Sequence, residues 1–477
     1  MARNYDEFLR KRESILLETE KTNKSSRLKL SEKELQASSI LEKLKEEIHN
    51  DKDINLMANL YDNFPKLENT KLFKVLKGMP KGVLQHVHLP AAISFDAFLK
   101  AFTFNDKVYY SVDERQFKLF PDGNVEPGYR SVTELRSVEG DETVVKLMKD
   151  LFIFTHHEMF DHNVEKIFSN FDHRFIVMGD PFFFTPVLKV LIEEFYKEMI
   201  EDGIDGVEIR NIFGLMINED QKRATSDEEI DFFKEFVHES ASKDQPLEVN
   251  YIHTGVKSKE LTSEELRNWF DFYKAALERK ESEVFVGFDM VSYEGKTMIN
   301  DMAQEFFALK KENPETNLIL HSGEDVLKIS KNIVDAILLG SKRLGHGLAM
   351  VKNPAFVQLA RKHDICVEVN PVSNYMLGFY RDPFNHPLRT LINSGIACSI
   401  NSDDFLFWNC PPLTMDFLVA TLFSDLSLRE IKWLVYNSIE YSFFNKSRKD
   451  ALKKRFEAKW EKFINDLTEE KIENGAN

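Results

Sequence analysis

Cysteine is nearly missing from this chain: three residues, Cys366, Cys398 and Cys410, among 477. So small and odd a number excludes a disulfide framework. No run of about 18 apolar residues occurs, which excludes a helical membrane span. The opening segment, MARNYDEFLRKRESILLETEK, lacks the apolar core of a secretory leader. These absences point to a reduced compartment, and the expected location is the cytoplasm, with an extracellular location as the alternative. Positive charge is in deficit, 63 Lys and Arg against 79 Asp and Glu, a net charge of −16. Such a surface argues against a broad nucleic-acid footprint, which needs basic patches to neutralise phosphates. A small nucleobase ligand stays open, because a pocket is set locally. Internal repeats and low-complexity tracts are also missing, and no Gly-rich phosphate loop follows the first strand-like run, which weakens a dinucleotide-binding reading.

Aromatic and apolar residues are plentiful. Hydrophobic residues make up 43% of the chain and Phe alone fills 40 positions, enough for a large core. Residues 1–75 are rich in Lys, Glu, Leu and Ser. Leu41, Leu44 and Ile48 form an apolar stripe at helical spacing, and Ser31 with Glu34 has the form of a capping box. Two or three helices are expected there, either a solvated extension or a subunit-contact arm.

From Lys81 the rhythm changes. Strand-like runs at 82–89, 205–214, 247–255, 284–291, 317–324, 343–350, 365–371 and 397–404 alternate with helical stretches. Eight such units predict an α/β fold, a (β/α)8 TIM barrel with an N-terminal helical extension; an open doubly wound sheet is the alternative. Residues 101–150 break the rhythm with Pro and Gly turns and form an insertion in a barrel domain spanning 76–465. Residues 448–471 read as a closing amphipathic helix with a solvated face, and 466–477 as a polar tail.

A strand buried on both faces is nearly all apolar, so ionisable residues at its end are informative. His86 and His88 are two apart and share a strand face, as two ligands of one cation would. By itself the pair is as often ordinary. His321 closes an apolar strand in H-S-G-E, with Glu324 three residues on. A metal that acidifies water and a carboxylate that moves its proton suit hydrolysis; a helix cap is the plainer reading. His346 lies between glycines in L-G-H-G, a placement that leaves the imidazole unobstructed. Asp403 and Asp404 end the last run, where one can face a metal and the other a ligand. His156, His157 and His162 spread around a helix and read as surface or packing residues.

The ordered set H-x-H, H-S-G-E, L-G-H-G and S-D-D, with MPKGVLQHVHLPAA, GVEIR, VGFDMV, KRLGHGLAMVKNP, VEVNPVSNYML and NHP, resembles the adenosine/AMP deaminase superfamily. The growth-factor-related group of adenosine deaminases is the nearest in pattern. The resemblance covers nearly the whole chain. It implies one zinc ion per chain held by His86, His88, His321 and Asp403, with Glu324 sharing a proton with the purine ring. His346 would orient and deprotonate the attacking water, and Asp404 would bind the imidazole side of the base. The implied reaction converts adenosine or 2′-deoxyadenosine to inosine or 2′-deoxyinosine with loss of ammonia. Another aminopurine nucleoside or nucleotide as substrate, or a signalling role with weak catalysis, are the alternatives. A homodimer formed through the N-terminal helices is implied too. Four positions depart from the pattern. Ser292 stands where Gly is usual, beside the purine; Pro90 where some members bind the ribose through Asp; Phe405 where Pro is usual; and Asp161 where the growth-factor group offers an aromatic residue.

Overall fold

The computed structural model describes residues 4–57, 59–159, 163–327 and 330–469. Eight parallel strands form the barrel: β1 Gly82–His88, β2 Ile204–Asn211, β3 Glu248–Val256, β4 Phe285–Val291, β5 Asn317–Leu318 continued as Leu320–Ser322, β6 Arg343–His346, β7 Cys366–Val369 and β8 Ala397–Ile400. Each pairs with its neighbours in chain order on either side of β5. The ring closes where Asp403, past the end of β8, bridges Val87 of β1 and donates its N–H to the His86 carbonyl at 3.1 Å. Nearly every strand residue is buried, as expected of strands covered by helices outside and by packed side chains within.

The sequence places the strands well. Their ends lie earlier than the sequence suggests at β6, β7 and β8, where the chain leaves the strand for a turn or short helix. Asp403 and Asp404 therefore sit in the loop after β8, not on the strand itself.

The N-terminal extension folds as helices Tyr5–Thr22, Glu32–Asn50, Leu60–Leu67 and Lys71–Lys77. Ser31 and Glu34 form the expected reciprocal capping box. The other oxygen of Glu34 accepts from Lys432 Nζ and Trp460 Nε1, both at 2.8 Å. Leu41, Leu44 and Ile48 are buried, so the helix Glu32–Asn50 is docked on the barrel and not merely solvated. Helix Tyr5–Thr22 differs: none of its residues is buried, and Tyr5, Phe8, Ile15, Leu16 and Leu17 stay exposed. The closing helix is present as Lys446–Thr468, so it runs three residues into the stretch read as a tail, and residues 470–477 lie outside the described residues.

The insertion contains a three-stranded antiparallel sheet, Gln116–Lys118, Tyr109–Ser111 and Tyr129–Ser131 in spatial order. Its strand Gln116–Lys118 packs against helix Val164–Met178, which forms one wall of the cavity described next. Among the described residues no helix is long and apolar enough to cross a membrane, and the three cysteines are buried and unpaired.

Candidate functional site

The polar residues singled out at the strand ends converge at the C-terminal mouth of the barrel. β1 carries a bulge between Leu84 and Val87, where the Asn401 side chain accepts from the N–H groups of Gln85 and His86 at 2.8 and 3.1 Å. Bulges of this kind re-aim side chains beside active sites. Here His86 Nε2 and His88 Nε2 lie 3.3 and 3.2 Å from Asp403 Oδ1 and 3.3 Å from each other. His321 joins them, so that one ligand atom from each of the four residues falls within 4.8 Å of every other. A tetrahedral ion with bonds of about 2.0–2.1 Å would have ligand–ligand edges of about 3.3–3.4 Å. The three separations match this, and three imidazoles with one carboxylate are a donor set that a divalent metal accepts.

The outward nitrogens of the imidazoles are held from behind. His86 Nδ1 is 2.9 Å from Glu368 Oε2, and His321 Nδ1 is 2.7 Å from Asp289 Oδ2. Such partners would fix which nitrogen faces a bound metal. They belong to a wholly buried network. Arg210 joins Asp289 (2.8 Å) to Glu368 (2.7 Å), and Arg343 joins Glu368 (2.6 Å) to Glu208. Ser373 Oγ donates to the second oxygen of Asp403 at 2.7 Å. Burial works to raise the Asp403 carboxyl, but the imidazoles of His86, His88 and His346 outweigh it and hold it well below the usual range. Burial drives His321 down to about 3 despite Asp289, so its ring is a neutral donor.

Two acid–base groups stand beside this set. His346 Nε2 is 3.5 Å from Glu324 Oε1 and 3.9 Å from Asp403 Oδ2. Its Nδ1 lies 3.2 and 3.1 Å from the side-chain nitrogens of Asn370 and Asn374. Gly345 leaves room for the neighbouring ligand candidates, since a Cβ there would sit a tight 3.2 Å from both His321 Cα and His86 Cε1. Burial, then the charges of Asp403 and Glu294, raise Glu324 well above a normal carboxylate, so it keeps its proton. Asp404 is raised by burial and by Asp403, and its Oδ1 is buried without a partner. An orphaned buried oxygen of this kind calls for a ligand group.

These residues floor a cavity of about 420 Å³, within the range of small-molecule sites. Phe168, Phe171, Asp172 and Phe175, at helical spacing on Val164–Met178, line one wall, and Phe182 and Phe183 extend it. Pro90 and Ser292 also line the cavity, whereas Phe405 is buried in the short helix Phe405–Trp408. Ser292 has φ +76° and its Oγ donates to Asp172 at 2.8 Å; Lys296 Nζ reaches the same carboxylate at 2.7 Å. The left-handed backbone explains why glycine suits this position. His346 and Asp403 have φ +64° and +59°, strain that concentrates at functional sites. His157 is exposed, as expected, while Asp161, His162 and the side chain of His156 lie outside the described residues.

Sequence reasoning missed Arg210, Asp289, Arg343 and Glu368, and also Asp172 and Lys296. Arg210, Asp289 and Glu368 stand inside apolar strand runs and Arg343 opens one, and the rule that picked out His86 applies to them equally.

The family model for adenosine deaminase matches residues 151–459. An adenosine deaminase of Phlebotomus duboscqi is 29% identical, covering 98% of this chain and 94% of its own. Adenosine deaminase 2 of Homo sapiens is 26% identical, covering 84% and 81%. Among solved structures, an amidohydrolase from Burkholderia ambifaria with bound Zn superposes with a TM-score of 0.60 at 14% identity, covering 83% of this chain and 94% of that one. Arabidopsis ADAL complexed with IMP gives 0.58 at 15%, covering 83% and 100%. At these identities the two structures show the shared barrel fold.

Proposed function

Because this chain belongs to the adenosine deaminase family, we propose that it hydrolyses adenosine or 2′-deoxyadenosine to the inosine counterpart and ammonia, with one zinc ion held by His86, His88, His321 and Asp403. The observation that carries this reading is the meeting of that four-residue donor set with Glu324, His346 and Asp404 on the floor of one aromatic-walled cavity. Zinc bound there would act as a Lewis acid and make water a nucleophile at neutral pH.

The protein's own groups supply the rest. Glu324, buried and protonated, donates to the ring nitrogen beside the carbon under attack, which makes that carbon more electrophilic. His346, within 4 Å of both Glu324 and Asp403, orients the attacking water and takes up its proton. The water's oxygen adds to the carbon, and the amine leaves as ammonia once protonated. Asp404 presents its Oδ1, without a partner among the described residues, to the imidazole side of the base. Ser292 and Pro90 form part of the wall beside the base and sugar. Nucleosides are favoured over nucleotides. Among the described residues, two cationic side chains line the cavity: Lys296 is paired with Asp172 and Arg210 is locked in the buried network, so neither of these is available for a phosphate.

The test is ammonia release from adenosine by the zinc-loaded protein, with AMP beside it. Turnover of adenosine well above AMP is expected; an unchanged adenosine spectrum would remove the reading. The same family reading makes the N-terminal helices a homodimer arm, and the exposed apolar side chains of helix Tyr5–Thr22 are surface that a second copy would cover. Light scattering should return the mass of two chains, and a monomer mass at micromolar concentration would reject the arm.

A further inference from the structure

The loop that carries Glu324 is tied down by a carboxylate with no part in the chemistry above. Glu294 lies just past β4 and is 4% exposed. Its Oε1 accepts from the Gly323 N–H at 2.7 Å, Ser330 Oγ at 2.8 Å and Asn332 Nδ2 at 2.9 Å. Its Oε2 accepts from the Asp325 N–H at 3.1 Å. The two backbone donors are the residues on either side of Glu324.

Neighbouring contacts leave the loop little freedom. The His321 carbonyl accepts from Lys257 Nζ at 3.3 Å, and the Gly323 carbonyl from the Ala349 N–H at 2.7 Å. Gly323 has φ +73°, and a Cβ there would meet Ile333 Cδ1 at 2.5 Å. The Glu324 carboxyl, by contrast, is held weakly at its tip. The imidazole of His346, kept neutral by burial, stands 3.5 Å away, longer than an ordinary hydrogen bond. The direction of the Glu324 side chain is therefore set through its backbone.

We propose that Glu294 is a positioning residue for the reaction: by gripping the amides before and after Glu324, it aims that carboxyl at the ring nitrogen it protonates. This rests on Glu324 being the proton carrier. A helix or loop cap would only stabilise the fold. A positioning residue must also act through Glu324, and this separates the two roles.

Glu294→Gln is nearly isosteric. Each carboxylate oxygen holds one of the two backbone donors, so whichever oxygen becomes NH2, one grip on the loop is lost. Misplacing a reacting group by about 1 Å costs roughly 10²-fold in rate. Glu294→Gln is therefore expected to lower kcat for adenosine by about that factor, with KM within threefold and zinc content unchanged. Hydrogen exchange at the Gly323 or Asp325 amide should quicken, with the barrel strands unaffected. In a Glu324→Gln background, adding Glu294→Gln should cost less than about twofold, because there is no proton carrier left to aim. Glu294→Asp, which keeps the charge but is one methylene short, should show a smaller loss of the same kind, and it serves if the Gln variant does not fold. The proposal is overturned by a kcat within threefold of wild type, by an equal loss in both backgrounds, or by zinc lost in step with activity. Should the wild-type protein release no ammonia from adenosine, the functional reading fails. Glu294 is then judged by amide exchange alone, where unchanged protection at Gly323 and Asp325 rejects its grip on the loop.

Discussion

Glu324→Gln is expected to keep its zinc and lose about three orders of magnitude in kcat, in the range that general acid–base groups supply. Glu324 lies outside the four-residue ligand set, so the substitution leaves the donors intact. The amide fills the same space but has no ionisable proton to pass to the purine. The backbone clamps on Gly323 and Asp325 are untouched, so the loop should keep its shape. Steady-state ammonia release with metal analysis of the same sample checks both halves. Near-normal kcat would mean that another group carries the proton. Loss of zinc would mean that Glu324 belongs to the metal site.

The second large effect is expected at a residue that touches no substrate. Glu368→Ala should destabilise the fold by about 3–5 kcal/mol, the cost of breaking a buried charge pair from one side. Its carboxylate serves His86 Nδ1, Arg210 and Arg343 at once, and all four side chains are wholly buried. Without it, two guanidinium groups keep only Asp289 and Glu208 as charged partners inside the barrel. The imidazole of His86 also loses the group that orients it, which should weaken zinc binding about 10–100-fold. Urea denaturation with a zinc titration measures both. A loss below about 1 kcal/mol would show that the network relaxes around the gap, and that its charges are not closely interdependent.

The barrel and the His/Asp cluster at its mouth were legible in the sequence for one reason. A strand buried on both faces tolerates few polar residues, so His86, His88 and His321 stand out against Val, Leu and Ile. Asp403 stood out on the same grounds, although it proves to lie in the turn after β8, where it closes the ring against β1. Arg210, Asp289 and Glu368 obey the same rule within GVEIR, VGFDMV and VEV. They were passed over because they lie inside their runs, and only the fold shows that three strands bring them together.

The cavity wall was less legible. Phe168, Phe171 and Phe175 read as ordinary core at helical spacing, and the side on which a helix meets the barrel mouth is a tertiary fact. The departure at Ser292 was visible, but its consequence needed coordinates: a left-handed backbone, and a hydroxyl engaged with Asp172 rather than turned freely into the cavity.

Metal dependence of adenosine deamination, through the His86, His88, His321 and Asp403 cluster, is the expected behaviour of this protein. Its most direct test is ammonia release from adenosine by one preparation assayed as isolated, after exhaustive chelation, and after zinc is returned. Activity lost with the metal and restored by about one equivalent of zinc per chain is the expected result, as one four-residue site requires. Full turnover by metal-free protein, or none in any of the three states, would contradict it.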